Sequence, residues 1–159
     1  MTSGLSDTAQ RIRMLLCYTA FAICSLASNS CSELAMEDVS SAPEYSAAVG
    51  RTFRTKEDVL AIGITTDKNY QKRVDYVVLV ASPGFSGPEV VTREQLRKDS
   101  IIRVVRVLKA ASFFSAKVVY VIELPGSDRF KGAEIRVTLT GTVTDGNFGL
   151  DKSIYEKMS

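Results

Sequence analysis

Histidine and tryptophan are absent from the 159 residues, and cysteine occurs only at Cys17, Cys24 and Cys31. Without histidine the chain cannot build a Ser-His-Asp or Cys-His centre, a histidine metal site or a histidine pH switch. With no cysteine after Cys31, everything downstream must fold without a disulfide and without a cysteine metal site. A dominant sign of charge is also missing: the formal net charge is +2, too small to mark a nucleic-acid binder. There is no phosphate-cradling glycine loop, no Asn-x-Ser/Thr acceptor and no internal repeat. What is present is ordinary globular material, 45% hydrophobic and 24% charged, which excludes a wholly disordered chain. The length suits one domain with a tail.

Arg11 and Arg13 precede a run without charge, Met14 to Ala27, and small residues follow at Ser28, Asn29 and Ser30. Cationic, then apolar, then small is the order of a helical export signal. The strongly apolar part is short for a span of about 20 residues, so a retained single-span anchor is the weaker reading, and a core helix would need a polar face that the run lacks. Two cleavage points compete. Ser25-Leu26-Ala27 offers small residues to an ordinary signal peptidase. Ser28-Asn29-Ser30-Cys31 resembles the lipobox of bacterial lipoproteins in Ser30 and Cys31 and departs from it at Ser28 and Asn29. The resemblance covers only the first 31 residues. It implies a mature chain that starts at a lipidated Cys31 and carries several acyl chains, which together anchor stably where one would not. Ser32, standing where inner-membrane retention generally uses Asp, implies an outer-membrane destination facing the periplasm. Cleavage after Ala27 would instead leave a soluble exported domain.

The expected layout is a signal over residues 1–30, a flexible acidic tether over 31–48 and a single β domain over 49–159. The tether reading rests on Glu33, Glu37, Asp38 and Glu44 among Ser and Ala, with no Lys or Arg. Two helical turns over Leu34–Val39 are the alternative. After Val49 the apolar pattern has period two. Strands are expected around Val59–Ile64, Val74–Ala81, Ala116–Leu124 and Ala133–Thr140. In Ser100–Ala110, Arg103, Arg106 and Lys109 recur every third residue, a helical spacing, but the β-branched content favours a strand. Thr92–Lys98 reads as a short helical turn capped by Thr92 and Gln95. Asp145-Gly146 reads as a hairpin turn. About six strands suggest an all-β fold, a small antiparallel barrel or sandwich, which loosely resembles barrels of the OB and Src-homology types.

Candidates for chemistry are sparse. Gly84-Phe85-Ser86-Gly87-Pro88 nearly spells a nucleophile elbow, but Pro88 breaks the motif and no histidine can activate Ser86. The carboxylates near apolar strands are Glu57, Asp58, Asp67, Asp75 and Glu123. Paired carboxylates or a Ser-Lys pair would be needed for an exported hydrolase. No catalytic residue, metal site or cofactor is expected. Between Arg93 and Lys117 seven cations stand against two carboxylates. The candidate partner-binding surface is therefore Phe85 with Arg93, Arg97, Arg103, Arg106 and Lys109, an aromatic anchor beside a basic stretch. Phe113-Phe114 is a second aromatic candidate. The expected function is a non-catalytic, lipid-anchored envelope module that binds another protein, as an inhibitor or immunity protein would, or a cell-wall glycan. The expected partners are the membrane, through lipid on Cys31, and that envelope component; nucleic acid is not expected in that compartment.

Overall fold

Alternation of apolar and polar residues decides most of the strands. The computed structural model describes residues 36–70, 72–110, 117–126, 130 and 132–158. Within them the chain forms β1 (Met36–Asp38), β2 (Thr52–Thr55), β3 (Val59–Ile64), β4 (Tyr76–Ala81), β5 (Val90–Leu96), β6 (Ile101–Ala110), β7 (Val118–Glu123), β8 (Glu134–Thr138) and β9 (Tyr155–Lys157). The described residues contain no helix. The export signal, Cys31 and Phe113-Phe114 lie outside them.

The strands make one sheet in the order β5-β3-β4-β8-β7-β6-β2-β9, with β1 also paired to β6. All neighbours are antiparallel except β4 and β8, which run parallel. The sheet has two ends, β5 and β9, so it is open. The expectation of a small antiparallel barrel or sandwich of about six strands is thus corrected to an open mixed sheet, with nine strands among the described residues. The all-β class holds. Three strands that the sequence pattern does not reveal, β1, β2 and β9, have three or four residues each, too few for alternation to show.

One face of the sheet carries the main core. Phe53, Val59, Ala61, Val77, Leu79, Ile102, Val104, Val107, Tyr120, Ile122, Ile135 and Val137 belong to one buried cluster. Between β6 and β7 the register shifts at Val105, a β-bulge. The extra residue lets Ile102, Val104 and Val107 all point inward, and it turns both Arg103 and Arg106 outward. The same parity puts Lys109 on the other side of the strand from Arg106. A strand can therefore carry a three-residue spacing of cations, but the three do not share a face.

Two irregular segments complete this core. Residues 39–50 form consecutive turns that bury Tyr45 and Ala48. Met36–Asp38 pairs with Leu108–Ala110. From Met36 onward the stretch read as a tether is therefore part of the folded domain. Its apolar side chains are few but are spent in the core, which composition alone does not reveal. Residues 141–150 form the second plug. There Asp145 accepts from the amides of Gly149 and Asn147 at 2.9 and 2.8 Å. The Asn147 amide group donates to the carbonyls of Leu150 and Tyr155, both at 3.0 Å. Asp145-Gly146 accordingly sits in a side-chain-capped loop and not in a hairpin between two strands. Tyr120, fully buried, donates to the Phe148 carbonyl at 2.7 Å.

Thr92–Lys98 is not a helical turn. Thr92 to Leu96 pairs with Val59 to Gly63 in β3. The Gln95 side chain reaches Asp58 at 2.7 Å, so long-range pairing overrides the local capping signal. Gly63 shows how closely the two strands approach: a Cβ there would lie 2.3 Å from Thr92 Oγ1.

Candidate functional site

The loop after β4 begins with a cis Ser82-Pro83 peptide and folds back over the outer face of β3 and β4. Gly84 makes this possible. Its φ is +71°, and a Cβ would meet Ile62 Cδ1 at 3.0 Å and Leu60 Cδ1 at 3.1 Å. Any side chain would be strained here and would lift the loop from the sheet. The Gly84 amide donates to Ala81 at 2.9 Å. Arg93, on β5, donates from its guanidinium to the Phe85 carbonyl. The Phe85 ring stays 40% exposed on this tied backbone. β5 is an end strand of the sheet, and Thr92 to Gln95 are exposed. A fixed exposed aromatic beside an edge strand can supply an anchor side chain together with backbone donors and acceptors.

The structure thus brings together two of the six candidate residues, Phe85 and Arg93. The other four sit elsewhere. Arg97 lies in the β5–β6 turn, where its carbonyl accepts from the hydroxyls of Thr55 and Ser100. Arg103 pairs with Glu123 across β6 and β7. Arg106 pairs with Glu134, which also holds Arg136 at 2.6 Å. Lys109 stands opposite Glu37 of β1 in register. The cations of β6 therefore face carboxylates from other strands. Nothing in the local sequence announces the Arg106–Glu134–Arg136 group, because its members are brought together by the order of β6, β7 and β8. Arg136 also lies over the Tyr76 ring, 4.2 Å from its centroid, a cation–π contact.

Four of the five candidate carboxylates, Asp58, Asp67, Asp75 and Glu123, are engaged in structure, and Glu57 is exposed. Asp58 accepts from the Gln95 side chain and the Lys98 amide. Asp67 accepts from the Asn69 amide. Asp75 accepts from the Thr66 amide and hydroxyl at 2.7 and 2.9 Å, and these bonds hold its carboxyl below the ordinary 3.8. The Gly149 and Asn147 amides do the same for Asp145. Burial pushes the Tyr120 and Tyr155 phenols up, away from neutral pH. The segment after Ser86 leads into β5 and not into a helix, so the nucleophile-elbow geometry does not form. Among the described residues no group of three or more acidic side chains could hold a metal ion. Two open depressions lie away from the loop. One of about 430 Å³ is lined by Glu44, Tyr45, Val118, Leu139 and residues 141–144. Another, of about 470 Å³, includes Val105, Arg106, Val121, Phe130 and Glu134. The chain matches no protein-family model, no curated protein and no solved structure.

Proposed function

We propose that this chain is a non-catalytic module of the cell envelope, held to a membrane by lipid on Cys31. In this reading it binds an envelope protein through the Phe85 loop and the β5 edge. One observation carries the binding surface: Phe85 is exposed while its backbone is fixed by Arg93 and by the packing of Gly84. An aromatic held this way loses little conformational entropy when a partner covers it. Four of the five carboxylates that a hydrolase could draw on, Asp58, Asp67, Asp75 and Glu123, are occupied by amides, a hydroxyl or a cation, which supports a binder over an enzyme. The lipobox-like Ser30-Cys31 and the cysteine-free domain after it support the anchor.

The test is photo-crosslinking in the cell. A photoreactive residue is placed at Phe85, and a control is placed at Lys152, whose side chain is well exposed. A discrete adduct from position 85 and none from 152 is expected. Arg93→Ala, which unties the loop, should lower the yield. Equal yields from the two positions, or none from either, would remove this surface from the proposal.

A further inference from the structure

The sheet ends on β9 at one side and on β5 at the other. β9 has three residues, too few to template a further strand, whereas β5 has seven. Thr92, Arg93 and Glu94 are exposed, and among the described residues no strand pairs with the side of β5 away from β3. Such an edge offers its main-chain donors and acceptors to another chain.

The side chains of β5 restrict what that chain can be. Arg93 stands opposite Ile62, on the outer face with the Phe85 loop. Thr92 and Glu94 stand opposite Gly63 and Ala61, on the inner face. Antiparallel pairing of β5 with a second copy about a two-fold axis keeps each face on its own side, so residues of the same parity oppose each other. The registers centred on Arg93 and on Glu94 then put Arg93 opposite Arg93, or Glu94 opposite Glu94. Like charges directly opposite destabilise a strand pair, so this edge disfavours its own copy. It admits a strand whose charges match.

The match is set by the two faces. On the outer face the loop runs from Val80 across Leu60 and Ile62 to Arg93, which brings the exposed Phe85 to the β5 side. The Arg93 guanidinium is already engaged by the Phe85 carbonyl. An apolar side chain of an added strand would therefore lie against the Phe85 ring on that face. On the inner face Glu94 is exposed, and among the described residues no cation pairs with it. A cationic side chain directly opposite would fill that place.

We propose that β5 takes an added strand: an extended segment of a partner protein, paired to β5 through the main chain, with apolar side chains toward Phe85 and a cation opposite Glu94. The proposal rests on the reading that the Phe85 loop and the β5 edge form the binding surface. Main-chain bonds supply affinity in this mode, and the alternate side chains supply specificity.

The probes are acetylated, fluorescent peptides of seven residues, the length of β5, in which Val alternates with Lys or with Glu. Anisotropy reads their binding to the purified mature protein. The Lys peptide is expected to bind about fivefold more tightly than the Glu peptide. Glu94→Lys should reverse that order, and Glu94→Gln, which only removes the charge, should erase it. Phe85→Ala should weaken both peptides. In an added strand every second N–H points at the edge, so N-methylation of one alternate set should abolish binding and of the other set should leave it. Binding that tolerates both sets, or no peptide binding while the Phe85 photo-crosslink still forms, would overturn the added strand and leave the surface standing. No peptide binding and no crosslink would overturn both. A dimer in sedimentation that the peptides dissociate would give the edge to a second copy and overturn the proposal.

Discussion

On the inner face of the sheet, Ile102, Val104 and Val107 of β6 join Tyr120 and Ile122 of β7 in a cluster that reaches from Val59 to Tyr155. On the outer face, the same two strands offer a three-residue island, Leu108, Val119 and Val121, next to the ion pairs of Arg103 and Arg106. The inner face is closed by the chain itself, through residues 39–50 and 141–150. On the outer face, Gly84 and its loop lie on Leu60, Ile62 and Val80. Ten residues of β6 serve both sides because one bulge, at Val105, resets which residues point inward. Apolar residues on the closed face are accounted for by folding. Leu108, Val119 and Val121 on the outer face are buried as well, whereas Phe85 stays 40% exposed beside the β5 edge, and function is to be sought there.

A matched pair of truncations on β6 tests this contrast hardest. Ile102→Ala is expected to cost about 2–5 kcal/mol, the range for truncating a closed core. Leu108→Ala, in the smaller buried cluster of the outer face, is expected to cost less than Ile102→Ala because fewer buried neighbours surround it. Urea unfolding midpoints measure both. Equal losses would mean that the small outer cluster is packed as tightly as the main core.

A smaller effect separates two capped carboxylates. Asp145 and Asp75 are both held below the ordinary 3.8, chiefly by backbone amides of Gly149 and Thr66 respectively. A depressed carboxyl stabilises the fold in its ionised form. That contribution is complete above the ordinary value and is lost as pH falls through the lowered one. Asp145→Asn and Asp75→Asn should each flatten the fall of melting temperature below about pH 4. The flattening should be greater for Asp145, which holds the loop that plugs the inner core. Thermal melts from pH 7 down to strong acid decide it, and an unchanged acid limb in the Asp145 variant would mean that the cap contributes nothing to stability.

The smallest effect belongs to the outer ion pairs. A double-mutant cycle on Arg103 and Glu123 is expected to give a coupling of at most about 1 kcal/mol, shrinking in high salt, because both side chains are about half exposed. A larger, salt-insensitive value would mean that this part of the outer face is shielded from water.

Much of the inner face was legible in the sequence. β3, β4, β6, β7 and β8 follow apolar alternation or β-branched runs, since a side chain every second residue must enter the core. What escaped reading has physical reasons. β5 is an edge strand with Thr92, Arg93, Glu94 and Gln95 in a row, so no alternation marks it. β1, β2 and β9 are too short to show a period. The parallel pairing of β4 with β8 joins segments separated by three other strands. Tyr45 and Ala48 are single core residues in an acidic, Ser-rich stretch that composition assigns to a tether. For the candidate site, Phe85 in a Gly/Pro loop and Arg93 nearby were visible as residue types, and the structure joins them. The basic stretch around Arg103, Arg106 and Lys109 was visible too. Its carboxylate partners were not, because Glu123, Glu134 and Glu37 come from other strands.

The proposed envelope role turns on Cys31 carrying the anchor that holds the domain to a membrane. The decisive measurement is the intact mass of the mature protein, taken separately from membrane and soluble fractions. A membrane-bound species that begins at Cys31 and carries added acyl mass is the predicted result. A soluble species that begins at Ser28, with Cys31 unmodified, would contradict it.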